Sequence, residues 1–485
     1  MRQIMAVAHV LGLMAMLMSA TYLAPIATAL IFQDGTLVAF AFSMAVNFAA
    51  GLLMWLSTRR FKTELRPRDG FLLVSLAWAG GAAFATLPLM LVIGNLSFTD
   101  AYFETMSGLT TTGATVLVGL DTLAKSINLW RHLLNWLGGM GIIVLAVAIL
   151  PLLGVGGMQV YKAETPGPIK DNKLTPRITE TAKNLWLVYF GITTACVIAL
   201  KLAGMGWFDA VCHAFAAMSL GGFSTYDANV GHFDSVAIEA VLIFFMLVAA
   251  MNFSTHFLAW REKSPAPYRH DSEAKSMLML VLGSCAGIAL YLWHSGTYDN
   301  FWTALRHASF NLVSIATDCG FVSADFDKWP IFAPMWMLFL SCIAVSSGST
   351  GGGIKMIRTL IISRQAMREM LILIHPQIVN PMKIGGVVVA NKVVLAVLGF
   401  IFVYFISVVT MTFALMASGL DFISSFSAVI ACINNAGPGL NVVGPAANFS
   451  PLTDFQTWIC SLTMFLGRIE IFSLLILFTP AFWRR

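Results

Sequence analysis

Charge is what this chain has least of. Only 11% of its 485 residues are Asp, Glu, Lys or Arg, against 58% hydrophobic, and mean hydropathy is +0.80. A soluble protein of this length cannot be so apolar, and no soluble domain of useful size is left over. Metalloprotease and zinc-hydrolase readings fail for want of an HExxH pair, and no carboxylate couple stands on adjacent apolar runs. The seven cysteines (Cys196, Cys212, Cys285, Cys319, Cys342, Cys432, Cys460) form no CxxC and suit packing thiols better than disulfides or a zinc site. No ATPase motif is present: in Gly348–Lys355, Ile354 separates Gly353 from Lys355, which breaks the succession a phosphate-binding loop requires. An enzyme is not expected, and neither is a bound cofactor.

What the chain does have is long runs free of charge. Lys, Arg, Asp and Glu are missing from Gln3–Gln33, Thr36–Thr58, Phe71–Thr99, His132–Tyr161, Asn184–Leu200, Ala240–Trp260, Ser276–Tyr298, Trp329–Ile354 and Val393–Leu420. A tenth run, Phe455–Trp483, is interrupted only by Arg468 and Glu470. Most reach the roughly 20 residues a helix needs to cross about 30 Å of hydrocarbon. The first is too long for a signal-peptide apolar region. Of 29 Lys and Arg, all but Lys125, Arg131, Lys201, Arg306, Lys328 and Arg468 fall at the termini or in the loops Arg59–Arg68, Lys162–Lys183, Arg261–Lys275 and Lys355–Lys392. By the positive-inside rule both termini and these loops are cytoplasmic. The +5 net charge then reports topology, and nucleic-acid binding is not needed to explain it.

Between the spans, four short apolar segments recur, each ending at a glycine: Ala101–Leu109 before Gly113, Ala210–Leu220 before Gly222, His307–Thr317 before Gly320 and Phe422–Asn434 before Gly437. The glycines are 109, 98 and 117 residues apart. These segments are too short to cross and read as re-entrant half-helices, whose C-terminal dipole ends favour a cation at the membrane centre. Asp100 and Asp209 each stand 13 residues before their glycine, fitting places for an acid at a half-helix N-terminus, with His307 and Ser424 in the matching positions.

The expected fold is an all-α polytopic membrane protein of ten transmembrane helices plus four half-helices, pseudo-fourfold after two leading helices. Its units are 1–69 (leading helices), 70–161, 162–263, 264–375 and 376–485. Backbone carbonyls of Thr111, Thr112, Gly113; Leu220, Gly221, Gly222; Asp318, Cys319, Gly320; and Asn435, Ala436, Gly437 could replace the water shell of a permeant potassium ion. Glycine permits the φ/ψ values that aim successive carbonyls one way. The other reading is that these glycines merely let helices approach closely.

Two further features break helical rules. Gly348-Ser349-Thr350-Gly351-Gly352-Gly353, followed by Lys355, cannot stay helical at about 1 kcal/mol per interior glycine. It is either a gate or a structural kink, since broken backbone at membrane depth must line a cavity or be buried. Arg468 is costly within a span. It and Glu470, two residues apart, face different surroundings, and Arg468 is either a structural ion pair or a positive charge below the ion path. The basic stretch Lys355, Arg358, Arg364 and Arg368, interleaved with Met367, Met370 and Leu371, suits anionic lipid or a docking partner equally.

The segments TTTGATV, SLGGFST, TDCGF and NNAGPGL, the stretch SGSTGGGIK, LGRIEIF near the C-terminus and PGPIKDNKLTPR in the first basic loop together resemble the Trk/Ktr/HKT superfamily of potassium transporters, and within it the bacterial Trk membrane subunits. The likeness covers essentially the whole chain. It implies four helix–pore–helix repeats, a homodimer in the bacterial inner membrane, and a TrkA-like ring-forming cytoplasmic subunit that binds NAD or ATP/ADP and controls opening. It also implies that Gly113, Gly222, Gly320 and Gly437 are the filter glycines, potassium being favoured because a serine at the first goes with sodium. Asp318 departs from the plainer residue of several relatives. Coupling of potassium to protons or sodium is the alternative mechanism, kept open by Asp318 and Glu470.

Overall fold

The computed structural model describes residues 2–61, 67–144 and 178–484. The basic loop carrying Pro166–Arg177 and the latter part of the expected His132–Tyr161 span lie outside the described residues.

Six described helices are long and apolar enough to cross a membrane: Ile4–Phe32, Leu37–Thr58, Arg68–Val92, Ala182–Leu202, Ser272–His294 and Asn391–Ala417. Only 22–33% of each one's most apolar window is buried, so lipid, not protein, is the solvent for most of their surface. Leu17, Ile31, Val38, Leu53, Phe190, Leu395 and Phe402 stand exposed on that outer surface.

Two of the remaining expected spans are bent. Val236–Ala249 and Phe253–Glu262 meet at 94°, and Asp454–Arg468 and Ile471–Phe478 at 111°. Each break has a local cause. Asn252 turns its side chain back to accept a hydrogen bond from the Ser254 N–H, starting a new helix, and Glu470 adopts a left-handed φ of 60°. Counting bent pairs gives eight spans among the described residues, two fewer than the sequence count. Of the other two, Lys125–Val144 runs to the edge of the described residues, and Phe332–Ile343 is a 12-residue helix that stops before the glycine-rich stretch. A two-stranded ribbon, Lys383–Ile384 with Val387–Val388, is the one departure from an all-helical fold among the described residues.

Short helices stand at all four positions expected for half-helices: Phe98–Leu109, Trp207–Ser219, Phe301–Ala316 and Phe422–Asn434. Ser97, Asn300 and Asp421 cap three of them by accepting hydrogen bonds from the first turn. The third is longer, 16 residues against 12 or 13, by a turn at its start, so His307 lies well inside it and not near its N-terminus. Instead His307 stacks on Tyr298. In contrast to the long helices, the last two turns of each are almost wholly buried, which places these ends at the centre of the molecule.

Close approach there depends on two glycines in the helices that follow. A Cβ on Gly138 would lie 1.9 Å from the Leu109 carbonyl oxygen, and one on Gly467 1.9 Å from that of Ile433. Both carbonyls close the last turn of a short helix, four residues before one of the four recurring glycines. Gly467→Ala should therefore fail to assemble, with the folded, monodisperse fraction in detergent falling to near zero on size-exclusion chromatography. The neighbouring Gly399, whose added Cβ would meet only the tip of Phe472 at 3.9 Å, should tolerate Ala.

Candidate functional site: a ring of four glycine turns and the loop beneath it

All four half-helices end in one backbone motif. The N–H of the residue before each glycine donates to the carbonyl five residues earlier: Thr112 to Ser107 (2.9 Å), Gly221 to Ala216, Cys319 to Ser314 and Ala436 to Ala431 (each 2.8 Å). The residue before that is left-handed in every case, with φ of 54° at Thr111, 54° at Leu220, 63° at Asp318 and 59° at Asn435. The glycines follow at φ of 80°, 62°, 88° and 90°. This is a Schellman-type helix end in which Thr, Leu, Asp and Asn hold a conformation usually left to glycine. Asn and Asp tolerate it; Thr and Leu carry about 1–3 kcal/mol of strain, which the surrounding burial holds in place.

The four turns close a ring. A Cβ built on Gly113 would lie 2.4 Å from the Gly221 carbonyl oxygen, on Gly222 2.1 Å from that of Cys319, on Gly320 2.7 Å from that of Ala436, and on Gly437 3.0 Å from that of Thr112. Each glycine thus faces the carbonyl just ahead of the next one, and the fourth faces the first. The twelve residues expected from sequence are brought together around one axis, with their main chains too close for any side chain at the glycines. The ring is cross-tied. Asn435 Nδ2 donates to Thr112 Oγ1 at 2.9 Å, and Asn135 Nδ2 donates to the Gly221 carbonyl at 2.9 Å.

On one side the ring opens into a cavity of about 370 Å³ lined by Gly113, Gly222, Gly320, Pro438 and Arg131. Sequence reasoning passed over Arg131 and Glu104. Their side chains are 1% and 0% exposed and meet at 2.7 Å. Glu104 also accepts from the Val116 N–H and Thr115 Oγ1, while Arg131 donates to the Ser224 carbonyl and lies 4.3 Å over the Phe223 ring. The pair therefore joins the exits of the first and second turns. The available signal was an acid inside one half-helix and a base inside the next apolar run.

On the other side lies the glycine-rich stretch, which is an ordered loop between Phe332–Ile343 and Met356–Ile374. It touches three half-helix ends. Thr350 Oγ1 donates to the Met218 carbonyl at 3.1 Å; a Cβ on Gly351 would come within 3.2 Å of the Thr317 carbonyl oxygen; and one on Gly352 within 2.0 Å of that of Asn434. The loop is also pinned to the bend at Ala250–Phe253, where Ser346 N donates to the Ala250 carbonyl and Phe253 N to that of Gly348, each at 3.1 Å. Gly348, Gly353 and Lys355 are left-handed, at φ of 72°, 71° and 78°, and the Lys355 ammonium folds back to donate to the Gly351 carbonyl.

Arg468 is 2% exposed, and its partners are backbone. Nη1 donates to the Thr350 carbonyl at 2.8 Å and Nη2 to the Gly138 carbonyl at 2.9 Å, and no carboxylate lies within ion-pair distance among the described residues. The ion-pair alternative is thereby replaced by a clamp between the loop and the helix of Gly138. Glu470 turns elsewhere, accepting from Arg358 Nη2 at 3.3 Å, as the two-residue spacing required. Asp318, fully buried, accepts from the Gly352 N–H at 3.1 Å.

With this geometry in view, the chain can be compared with known proteins. A family model described as TrkH, cation transport protein, matches residues 37–485. The Trk system potassium uptake protein TrkH of Halomonas elongata is 47% identical over 478 residues, spanning 98% of each chain. That of Escherichia coli K12 is 44% identical over 480 residues, spanning 99% of each. The crystal structure of the potassium transporter TrkH from Vibrio parahaemolyticus superposes with a TM-score of 0.92 at 44% identity, over 99% of this chain and 100% of that one. An all-helical polytopic membrane fold, a cyclic set of four glycine turns and similarity across nearly the full length lead to one assignment: the chain belongs to the TrkH family of cation transport proteins.

Proposed function

We propose that this chain carries potassium inward across the bacterial inner membrane, through a filter made of the backbone carbonyls around Gly113, Gly222, Gly320 and Gly437. The single observation that carries this reading is the cyclic closure of the four turns, each glycine against the carbonyl preceding the next. Such a ring of fixed oxygens exchanges for the water shell of an ion of matching size. The relatives' names as potassium uptake proteins support the same ion.

The chain is then ten spans and four pore half-helices, with repeats at 70–161, 162–263, 264–375 and 376–485 after the leading pair 1–69, and both termini cytoplasmic. The membrane potential supplies the drive, about 2.3 kcal/mol per 100 mV for one charge. The loop Gly348–Gly353, with Lys355 and Arg468, is the gate. A homodimer of the chain docks a TrkA-like ring that binds NAD or ATP/ADP, and the helix Met356–Ile374 transmits its motion. Its exposed Met367, Met370 and Leu371 suit that docking, beside basic side chains that meet anionic lipid.

Potassium and sodium flux into liposomes driven by voltage alone tests this. Gly113→Ser places a Cβ 2.4 Å from the Gly221 carbonyl at a φ of 80°, and should cut the potassium-to-sodium ratio by about tenfold or more, a change of about 1.4 kcal/mol in relative barrier. Unchanged selectivity would sink the filter. A second reading, potassium coupled to a proton or sodium, is favoured by one observation, the buried carboxylate of Asp318 beneath the ring. It predicts a reversal potential that moves with pH or sodium, whereas simple conduction follows the potassium gradient alone.

A further inference from the structure

Two side chains on the loop side of the ring have oxygen atoms with nothing to bind. Asp318 is 0% exposed and Asn435 1%, yet Asp318 Oδ1 and Asn435 Oδ1 have no hydrogen-bond partner. They occupy the same left-handed position in the third and fourth turns. Both reach Gly352. Asp318 Oδ2 accepts from its N–H at 3.1 Å, and Asn435 Oδ1 would lie 3.2 Å from a Cβ built there. The other two turns carry Thr111 and Leu220 at this position, so a carboxylate and an amide oxygen stand side by side at one junction only. Buried polar oxygens without partners are costly, at about 1–3 kcal/mol or more for a charged group. They are kept where something else binds them.

The chemistry of the set is that of a monovalent-cation site, one carboxylate and one amide oxygen beside backbone carbonyls, with no nitrogen or sulfur ligand. Its present occupant is the loop. The Gly352 N–H sits on Asp318 Oδ2. We propose that Asp318 and Asn435 form an inner cation site of their own, held by the Gly348–Gly353 loop when the pathway is shut and by a permeating potassium ion when the loop withdraws. Loop and ion then compete for one carboxylate. A ligand that binds only the state with the loop displaced shifts the balance toward that state by mass action. Potassium on the loop side therefore holds its own gate open, and Asp318 is the residue through which it does so.

The inference rests on the loop being the gate, and the experiment separates the two. Single-channel currents of the full-length dimer in planar bilayers are recorded while loop-side potassium is raised at constant ionic strength, N-methylglucamine replacing it. In the wild type the ratio of open to shut time should rise about tenfold as potassium approaches ten times the site's dissociation constant. In Asp318→Asn, which keeps an acceptor for the Gly352 N–H but no charge, the dependence of the open-to-shut ratio on loop-side potassium should vanish. Asp318→Glu should keep a dependence, with its midpoint moved. A wild-type ratio indifferent to potassium overturns the inference without any variant, as does a dependence that survives in Asp318→Asn. The absence of any potassium-selective, voltage-driven current in the wild type would instead remove the transport reading beneath it, and the inference with it.

Discussion

Arg468→Ala should raise potassium flux in the absence of any cytoplasmic partner by about a hundredfold. The guanidinium makes two hydrogen bonds from a fully buried position, one to the loop at Thr350 and one to Gly138 on the helix after the first glycine turn. Charge-assisted bonds of this kind are worth about 1.5–3 kcal/mol each. Losing both at the lower value, about 3 kcal/mol, shifts a shut-to-open equilibrium by roughly a hundredfold. A second effect adds in the same direction. A fixed positive charge at a separation of about 6 Å would oppose a cation by roughly 2–3 kcal/mol at an effective dielectric of 20. Arg468→Lys divides the two contributions, because an ammonium keeps the charge but cannot fork to two carbonyls in different repeats. Flux from Lys should lie between wild type and Ala. The measurement is uptake of a potassium tracer into voltage-clamped liposomes, normalised to reconstituted protein. A basal flux equal to wild type in Arg468→Ala would mean that the residue only holds the fold.

That clamp also marks the boundary of what the sequence conveys. The costly Arg468 was visible because a charge in an apolar run has few explanations, but its partners were not, since both are backbone carbonyls and carry no side-chain signature. The same holds at the filter. Gly113, Gly222, Gly320 and Gly437 could be found from spacing, because positive φ selects glycine. Their neighbours Thr111 and Leu220 share the left-handed region without a residue type that announces it. Straight spans were expected across Ala240–Trp260, which carries no charge, and Phe455–Trp483, broken only by Arg468 and Glu470. The bends of 94° and 111° are set by an asparagine cap and a left-handed glutamate, and neither residue type announces a turn of that size. The break at Gly348–Gly353 was legible because glycine itself is the cause. Glu104 and Arg131 were lost for the opposite reason. Glu104 lies inside a half-helix and Arg131 at the margin of the next run, and nothing in the sequence joined them until the fold placed them 2.7 Å apart.

That pair sets the second large effect. Arg131→Met should destabilise the protein by about 3–5 kcal/mol, the usual result of stripping one partner from a buried ion pair and leaving the other charge uncompensated. Glu104 would keep the Thr115 hydroxyl and the Val116 N–H but lose the cation it pairs with, while the Ser224 carbonyl would lose the Arg131 donor. The double variant Glu104→Gln with Arg131→Met removes the stranded charge and should recover much of the loss, so the two changes are strongly non-additive. Thermal unfolding in detergent measures this directly, and additive losses would show that the two side chains act independently. Stability is half of the expectation. The pair is the ionic link between Thr115 and Val116 after the first glycine and Ser224 after the second, so it fixes the spacing of the two adjacent segments that leave the ring. In the double variant the fold returns but the link does not. Its potassium-to-sodium flux ratio should therefore remain below wild type at a temperature where both proteins are fully folded, because apolar and amide side chains of similar volume fill the space without holding the strands at a set distance. Recovery of stability together with full selectivity would assign the pair to folding alone, and leave the ring of carbonyls to hold its own width.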